Sequence, residues 1–127
     1  MIAGIGIDIV EHRRIVQIHD RYREKFARRI LDEVEMQEYL QASSKEKLLA
    51  KRFAAKEAAS KALGTGFSGG VSLHMIAIRH DEHGKPLLAL CDKAAACADN
   101  LGVVNQLLSI SDEHNYAIAM VVLETAD

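Results

Sequence analysis

The chain has 127 residues, 49% of them hydrophobic and 27% charged, with a formal net charge of −2. That balance excludes a disordered or low-complexity chain and fits one small soluble domain. The slight acidity argues against wholesale electrostatic binding to nucleic acid, and the longest apolar run near the end, Ala117–Leu123, is far too short for a membrane span.

Size and cysteine usage add three expectations. A monomer of this length buries only about two-thirds of the surface its unfolded chain exposes, so assembly into an oligomer would help it. Cys91 and Cys97 form neither a CxxC pair nor a disulfide framework, which predicts free thiols in a reducing compartment. No basic segment precedes an apolar one at the N-terminus, and Asp8 interrupts the apolar stretch. No secretory signal and a cytoplasmic location are expected.

In chain order, Ala3–Val10 alternates Ile5, Ile7 and Ile9 with Gly4, Gly6 and Asp8, a two-residue period that predicts a strand. One face is bulky and apolar. The other has two glycines and a carboxylate, and so has room for something other than a side chain. Glu11–Ile30 spaces Ile15, Ile18, Tyr22 and Phe26 by three and four, which predicts one amphipathic helix or two short ones. Val34–Leu40 reads as another short helix. Ser43 with Glu46 offers a capping box for a long helix to about Leu63, with Leu48, Ala55, Ala59 and Ala62 facing inward. Gly64 ends it.

After Ser72 the pattern changes. Ser72–His80 and Leu87–Leu90 read as strands joined by a polar turn, Asp81–Pro86. Lys93–Leu101 reads as a helix closed by Gly102. Gln106–Ser111 and Tyr116–Glu124 read as a strand pair, the second apolar on both faces and therefore central or doubly covered. This order predicts an α+β domain without internal repeats.

Three features bear on chemistry. Glu57 and Lys61 lie one turn apart on the long helix, and Asp8 lies on the uncluttered strand face. Packed together, two carboxylates suit Mg²⁺, and the ammonium suits a phosphate. Spacing alone also fits a surface ion pair beside an isolated carboxylate. Gly64–Gly70 contains G-x-G-x-x-G, but a helix precedes it and a strand follows, so it is not a dinucleotide fingerprint. Arg13–Arg29 holds seven basic residues against Asp20 and Glu24, a segment that could dock an acidic partner or simply face solvent. The six histidines make no metal set by spacing.

Two blocks resemble the holo-acyl-carrier-protein synthases. They are Gly4-Ile5-Gly6-Ile7-Asp8-Ile9-Val10-Glu11 and the block from Arg52-Phe53-Ala54-Ala55-Lys56-Glu57 through Lys61 to Gly66. The Gly84-Lys85-Pro86 turn and the closing strand pair agree in order. The resemblance implies a phosphopantetheinyl transferase fold, an antiparallel sheet on a long helix. It implies transfer of the 4′-phosphopantetheine arm of coenzyme A to a serine of apo-acyl carrier protein, with release of adenosine 3′,5′-bisphosphate. By the same resemblance Asp8 and Glu57 hold Mg²⁺, and Lys61 neutralises the coenzyme A diphosphate. Arg52, Gly64, Gly84 and Pro86 join Lys61 in binding coenzyme A. Arg14, Arg21 and Arg28, seven apart on one stripe if the helix runs on, dock the acidic carrier, and the family is typically homotrimeric with sites at subunit interfaces.

The resemblance leaves the acceptor of the serine proton open between a water activated at the metal site, Glu57 and Glu35. Many relatives have Ser-x-Ser-His where this chain has Ser109-Ile110-Ser111-Asp112, so no phosphate-contacting histidine is carried over. A binding module that grips an acidic partner through the arginine helix, and another Mg²⁺-dependent phosphoester enzyme, remain the alternatives at this stage.

Overall fold

A computed structural model describes residues 1–66 and 69–127. β1 (Ile2–Glu11) leads directly into α1 (His12–Tyr22), followed by α2 (Glu24–Ile30), α3 (Glu33–Gln41) and α4 (Lys45–Leu63). A 3-10 turn at Leu73–Met75 precedes β2 (Ile76–His80), β3 (Pro86–Leu90), α5 (Asp92–Asn100), β4 (Val103–Asp112) and β5 (Tyr116–Thr125). The order is the α+β order expected. The strand expected from Ser72 starts later, because residues 73–75 turn so that the carbonyls of Leu73 and Ile76 both accept from Lys56 Nζ, at 3.0 and 2.9 Å. Phe67 and Ser68, inside the glycine-rich loop, lie outside the described residues.

β5 is central, antiparallel to both β1 and β4, while β2 and β3 form a separate hairpin. Register sorts the three-stranded sheet into two faces. Gly6, Val121 and Leu108 lie across from one another, as do Asp8, Ala119 and Ile110. This is the inner face, where Val121, Leu123, Ala117 and Ala119 are buried. On the other face Ile7 pairs with Met120, and Ile5 and Leu107 with Val122. Alternation therefore aims the isoleucines of β1 outward: Ile5, Ile7 and Ile9 are 63%, 60% and 59% exposed.

What fills the space above the glycines is the backbone of α4. A Cβ on Gly4 would meet the carbonyl oxygen of Ala62, and one on Gly6 that of Ala58. Gly4, Gly6 and the alanines of α4 thus let a helix lie almost directly on a strand. Ala54, Ala55, Ala58, Ala59 and Ala62 are all buried, so α4 is covered on most sides. Leu49 is the buried leucine of its first turns, whereas Leu48 is only half-buried. Burying a Leu or Ile fully contributes about 1.5–3 kcal/mol, and Leu49, Ile30, Ile76 and Ile78 supply that around the helix. Gly64, in the left-handed conformation (φ 80°), stops α4 as expected.

The capping expectation needs a correction. Ser44, not Ser43, is the N-cap of α4, and it makes no side-chain cap. The capping box lies one helix earlier. Asp32 Oδ1 accepts from the Glu35 amide, and Glu35 Oε1 accepts from the Asp32 amide, each at 2.9 Å.

Candidate active site

Asp8 reaches the site because β1 turns its glycine face toward α4. Lys61, near the C-terminal end of α4, donates from Nζ to Asp8 Oδ1 at 3.0 Å and to the Ile7 carbonyl at 3.1 Å. Glu57 is one turn back on the same helix. Burial pushes its carboxyl above the ordinary carboxylate range, the negative charge of Asp8 pushes it further, and Lys61 opposes both. The three expected residues therefore converge, and the carboxylates are close enough to repel. Such a pair favours a cation between or beside its oxygens, and two carboxylates with open positions are a donor set for Mg²⁺.

A cavity of about 520 Å³ opens here, lined by Asp8, Glu11, Arg14, Ile15, Phe53 and Glu57 among others. A larger cleft of about 870 Å³ shares Ile18, Phe26, Phe53 and Glu57 with it. Its walls are mostly apolar, with Lys25, Arg29 and His74 among the lining residues. The site is thus a carboxylate–lysine centre at the edge of an apolar trough with basic residues along it.

The other expected coenzyme residues fall outside the lining of these cavities. Neither Arg52, Gly84 nor Pro86 lines these two cavities. Arg52 is buried, with Nη2 3.5 Å from Glu38 Oε1 and Nε 4.0 Å from Glu35 Oε2, and Nε has no hydrogen-bond partner. Burial holds the His80 imidazole below its ordinary pKa, and the positive charge of Arg52 adds to that. The charge of Arg52 therefore reaches His80, at the turn end of the β2–β3 hairpin. Gly84, exposed with φ 82°, and Pro86 form the turn of that hairpin. Gly64 is exposed at the end of α4, its amide bonded to the Lys61 carbonyl at 3.0 Å.

The arginine stripe is interrupted. Arg23, at φ 51° and ψ −128°, separates α1 from α2, so the helix does not run on to Arg28. Arg14 lines the cavity with Asp8. The Arg21 guanidinium lies over the Tyr22 ring at 5.3 Å. Arg28 belongs to the second helix, where it is exposed and pairs with Glu24 at 3.3 Å.

Two polar residues that the sequence raised only through the resemblance, Glu35 and Asp112, have partners that spacing does not show. Glu35, a candidate proton acceptor, is fully buried. Its oxygens accept from Lys56 Nζ at 2.8 Å, the Asp32 amide at 2.9 Å and the Ile78 amide at 3.0 Å. These bonds leave it holding the core together, away from the cavity. The second is Asp112, which accepts from His12 Nε2 at 2.9 Å. Asp112, at the position where the resemblance led to the expectation of a histidine, is thus paired within its own chain.

Comparison with known proteins identifies the family of the chain. The profile of the 4′-phosphopantetheinyl transferase superfamily matches residues 4–121. The chain belongs to that superfamily. It is 52% identical over 124 residues to the holo-[acyl-carrier-protein] synthase of Vibrio cholerae, covering 98% of each chain. Among solved structures, the holo-[acyl-carrier-protein] synthase of Neisseria meningitidis superposes with a TM-score of 0.92 at 43% identity, covering 98% of this chain and 100% of that one. The Helicobacter pylori synthase in complex with coenzyme A superposes with a TM-score of 0.82 at 34% identity, covering 94% of this chain and 99% of that one. The fold is accordingly the small α+β fold of the phosphopantetheinyl transferases.

Proposed function

We propose that this chain is a holo-acyl-carrier-protein synthase. It moves the 4′-phosphopantetheine group of coenzyme A to a serine hydroxyl of apo-acyl carrier protein and releases adenosine 3′,5′-bisphosphate. The observation that carries the reading is the meeting of Asp8, Glu57 and Lys61 at the α4–β1 junction, in a chain 52% identical to a protein of that name.

Asp8 and Glu57 are the residues that would hold Mg²⁺, which supplies positive charge to the diphosphate of the bound coenzyme. Lys61, already close to Asp8, turns its ammonium to the leaving phosphate as negative charge builds there. Arg52, Gly64, Gly84 and Pro86 bind the rest of coenzyme A. Arg14 and Arg21, exposed on α1, steer the acidic carrier to the apolar trough, and Arg28 extends that field from α2. The base that takes the serine proton is a group other than Glu35, whose oxygens are committed to the core.

The working unit is a homotrimer with sites between subunits. Two observations support this. The outward sheet face carries Ile5, Ile7, Ile9, Leu107 and Met120, all exposed. Arg52, Gly84 and Pro86 do not line the Asp8 cavity of their own chain, which is compatible with a site that draws them from a second copy. The chain acts as one domain in the cytoplasm, on carriers of fatty acid biosynthesis.

The test is direct. The protein is incubated with apo-acyl carrier protein, coenzyme A and Mg²⁺, and the carrier is weighed by mass spectrometry. A gain of one phosphopantetheine is expected. No gain with metal present overturns the reading, and turnover of coenzyme A without a carrier points to a different phosphoester enzyme.

A further inference from the structure

Among the described residues, one group of three metal-ligating side chains has donor atoms all within 4.8 Å of one another: His19, Asp20 and Glu46. None of the three lines the cavities around Glu57. His19 and Asp20 are in the last turn of α1, and Glu46 is in the first turn of α4. Asp20 is exposed and Glu46 half-buried, so the group is reachable from solvent.

His19 sets this cluster apart from ordinary surface acids. The residue is 3% exposed, and its Nδ1 is buried without a hydrogen-bond partner. The opposite ring nitrogen is taken: Nε2 lies 2.7 Å from the Tyr39 hydroxyl, itself buried on α3. In the tautomer whose Nε2–H donates to the Tyr39 hydroxyl, the Nδ1 lone pair faces the Asp20 and Glu46 carboxylates, and a cation in front of it would satisfy all three. The nearest oxygen, Glu46 Oε1, is 3.4 Å away. That is long for a hydrogen bond. It is also the edge of a tetrahedron whose bonds are about 2.1 Å, the length of zinc–nitrogen and zinc–oxygen bonds.

We propose that His19 Nδ1, Asp20 and Glu46 form a second divalent-metal site, of the zinc class, that fastens the end of α1 to the start of α4. The donor set decides the class. An imidazole with carboxylates suits Zn²⁺, Co²⁺ or Ni²⁺, whereas the all-oxygen pair Asp8–Glu57 suits Mg²⁺. The Tyr39 hydroxyl bonds the opposite ring nitrogen and so holds the ring in place, as a partner of a ligating histidine commonly does. Three protein ligands leave a fourth position for water or an outside ligand. The metal would hold α1, with Arg14 and Arg21, at a fixed angle to the helix that carries Glu57 and Lys61.

The experiment is a competition titration of the full chain, stripped with EDTA and returned to millimolar Mg²⁺ so that the oxygen site is occupied. Zn²⁺ is offered against a chromophoric chelator. The wild type is expected to take one Zn²⁺, and Co²⁺ in its place gives the strong visible absorption of a tetrahedral site. Glu46→Gln and Asp20→Asn sit where side chains reach solvent, so both should fold, and each is expected to weaken Zn²⁺ at least ~10-fold. Asp8→Asn is expected to keep the Zn²⁺ while losing transferase activity, so the two sites fail separately. No zinc uptake by the wild type overturns the proposal. So does uptake that survives both Glu46→Gln and Asp20→Asn, which marks an adventitious ion only, and so does uptake lost in Asp8→Asn.

Discussion

Lys61 Nζ lies 3.0 Å from Asp8 Oδ1, with the ammonium side chain half in solvent and the carboxylate side chain 16% exposed. The pair joins the first strand to the main helix beside the cavity that Asp8 lines. An ion pair this open contributes only about 0–1 kcal/mol to stability. Lys61→Ala should therefore melt near the wild-type temperature. Its kcat for carrier modification should fall about 10²–10³-fold, the usual loss when one group that stabilises developing charge is removed. A melting temperature that collapses along with activity would mean that Lys61 is a strut for β1 and nothing more.

Glu57 makes an opposite pairing of stability and activity. Its carboxyl is raised by burial and by Asp8. A group whose pKa is raised on folding contributes most below its unfolded pKa and loses that contribution as pH rises through the raised value. At neutral pH wild-type Glu57 is thus ionised at a cost. Glu57→Gln removes the cost, so its melting temperature should exceed that of the wild type by a few degrees at neutral pH. The gap should close in acid. Mg²⁺ should reverse the order, because at 100 times its Kd a ligand stabilises by about 2.7 kcal/mol and the variant lacks a donor. Thermal melts across pH, with and without Mg²⁺, read all three effects.

The outward isoleucines predict an assembly. Ile7 is 60% exposed in the middle of an apolar sheet face, opposite Met120. Ile7→Lys places a charge there without touching α4. The wild type should run as three copies in light scattering after size exclusion, and Ile7→Lys as one copy with unchanged helical circular dichroism. Activity should fall with the assembly if sites span subunits. A variant that stays at the wild-type mass removes this face from the interface.

Docking by α1 predicts a KM effect. Arg14 lines the cavity, whereas Arg28 sits beyond the Arg23 break and is partnered by Glu24. Arg14→Glu should raise the KM for the carrier and leave kcat nearly unchanged, and the loss should shrink as salt screens the field. Arg28→Glu should have the smaller effect. Equal effects, or a loss confined to kcat, would contradict steering by the first helix.

Much of this was legible in the sequence, for reasons that differ by residue. The long helix announced itself through closely spaced alanines and the Gly64 stop, and Asp8, Glu57 and Lys61 through their motif blocks. Alternation in β1 marked two faces but is symmetric about which one is inner. That choice depends on α4 needing the glycine face for its backbone, a tertiary fact. Two short helices were one of the two readings of Glu11–Ile30, but the place of the break was not legible, since a positive φ at a non-glycine residue such as Arg23 is uncommon and has no local signal. Ser43–Glu46 and Asp32–Glu35 both match a capping box. Only Asp32–Glu35 uses it, where Arg79 and Lys56 from distant elements also hold the two carboxylates. Arg52 was named through the resemblance as a coenzyme A residue; its burial beside Glu35 and Glu38 was not legible, because those partners come from another helix.

Glu35 and Lys56 supply the last prediction, because both are fully buried and 2.8 Å apart. Lys56 spends all three donors, on Glu35 and on the carbonyls of Leu73 and Ile76. Burial still holds its pKa below the ordinary lysine value despite the facing carboxylate. Removing one partner strands the other in the core, so Lys56→Met and Glu35→Leu should each cost about 3–5 kcal/mol. The double variant should recover part of that loss, which a double-mutant cycle in denaturant melts would resolve. Glu35→Gln keeps most of the hydrogen bonds and should fold at reduced stability. Its kcat per folded molecule should stay within a few fold of wild type, since the carboxylate is walled off from the cavity. A loss on the scale of Asp8→Asn in a demonstrably folded Glu35→Gln protein would return Glu35 to the reaction as its base.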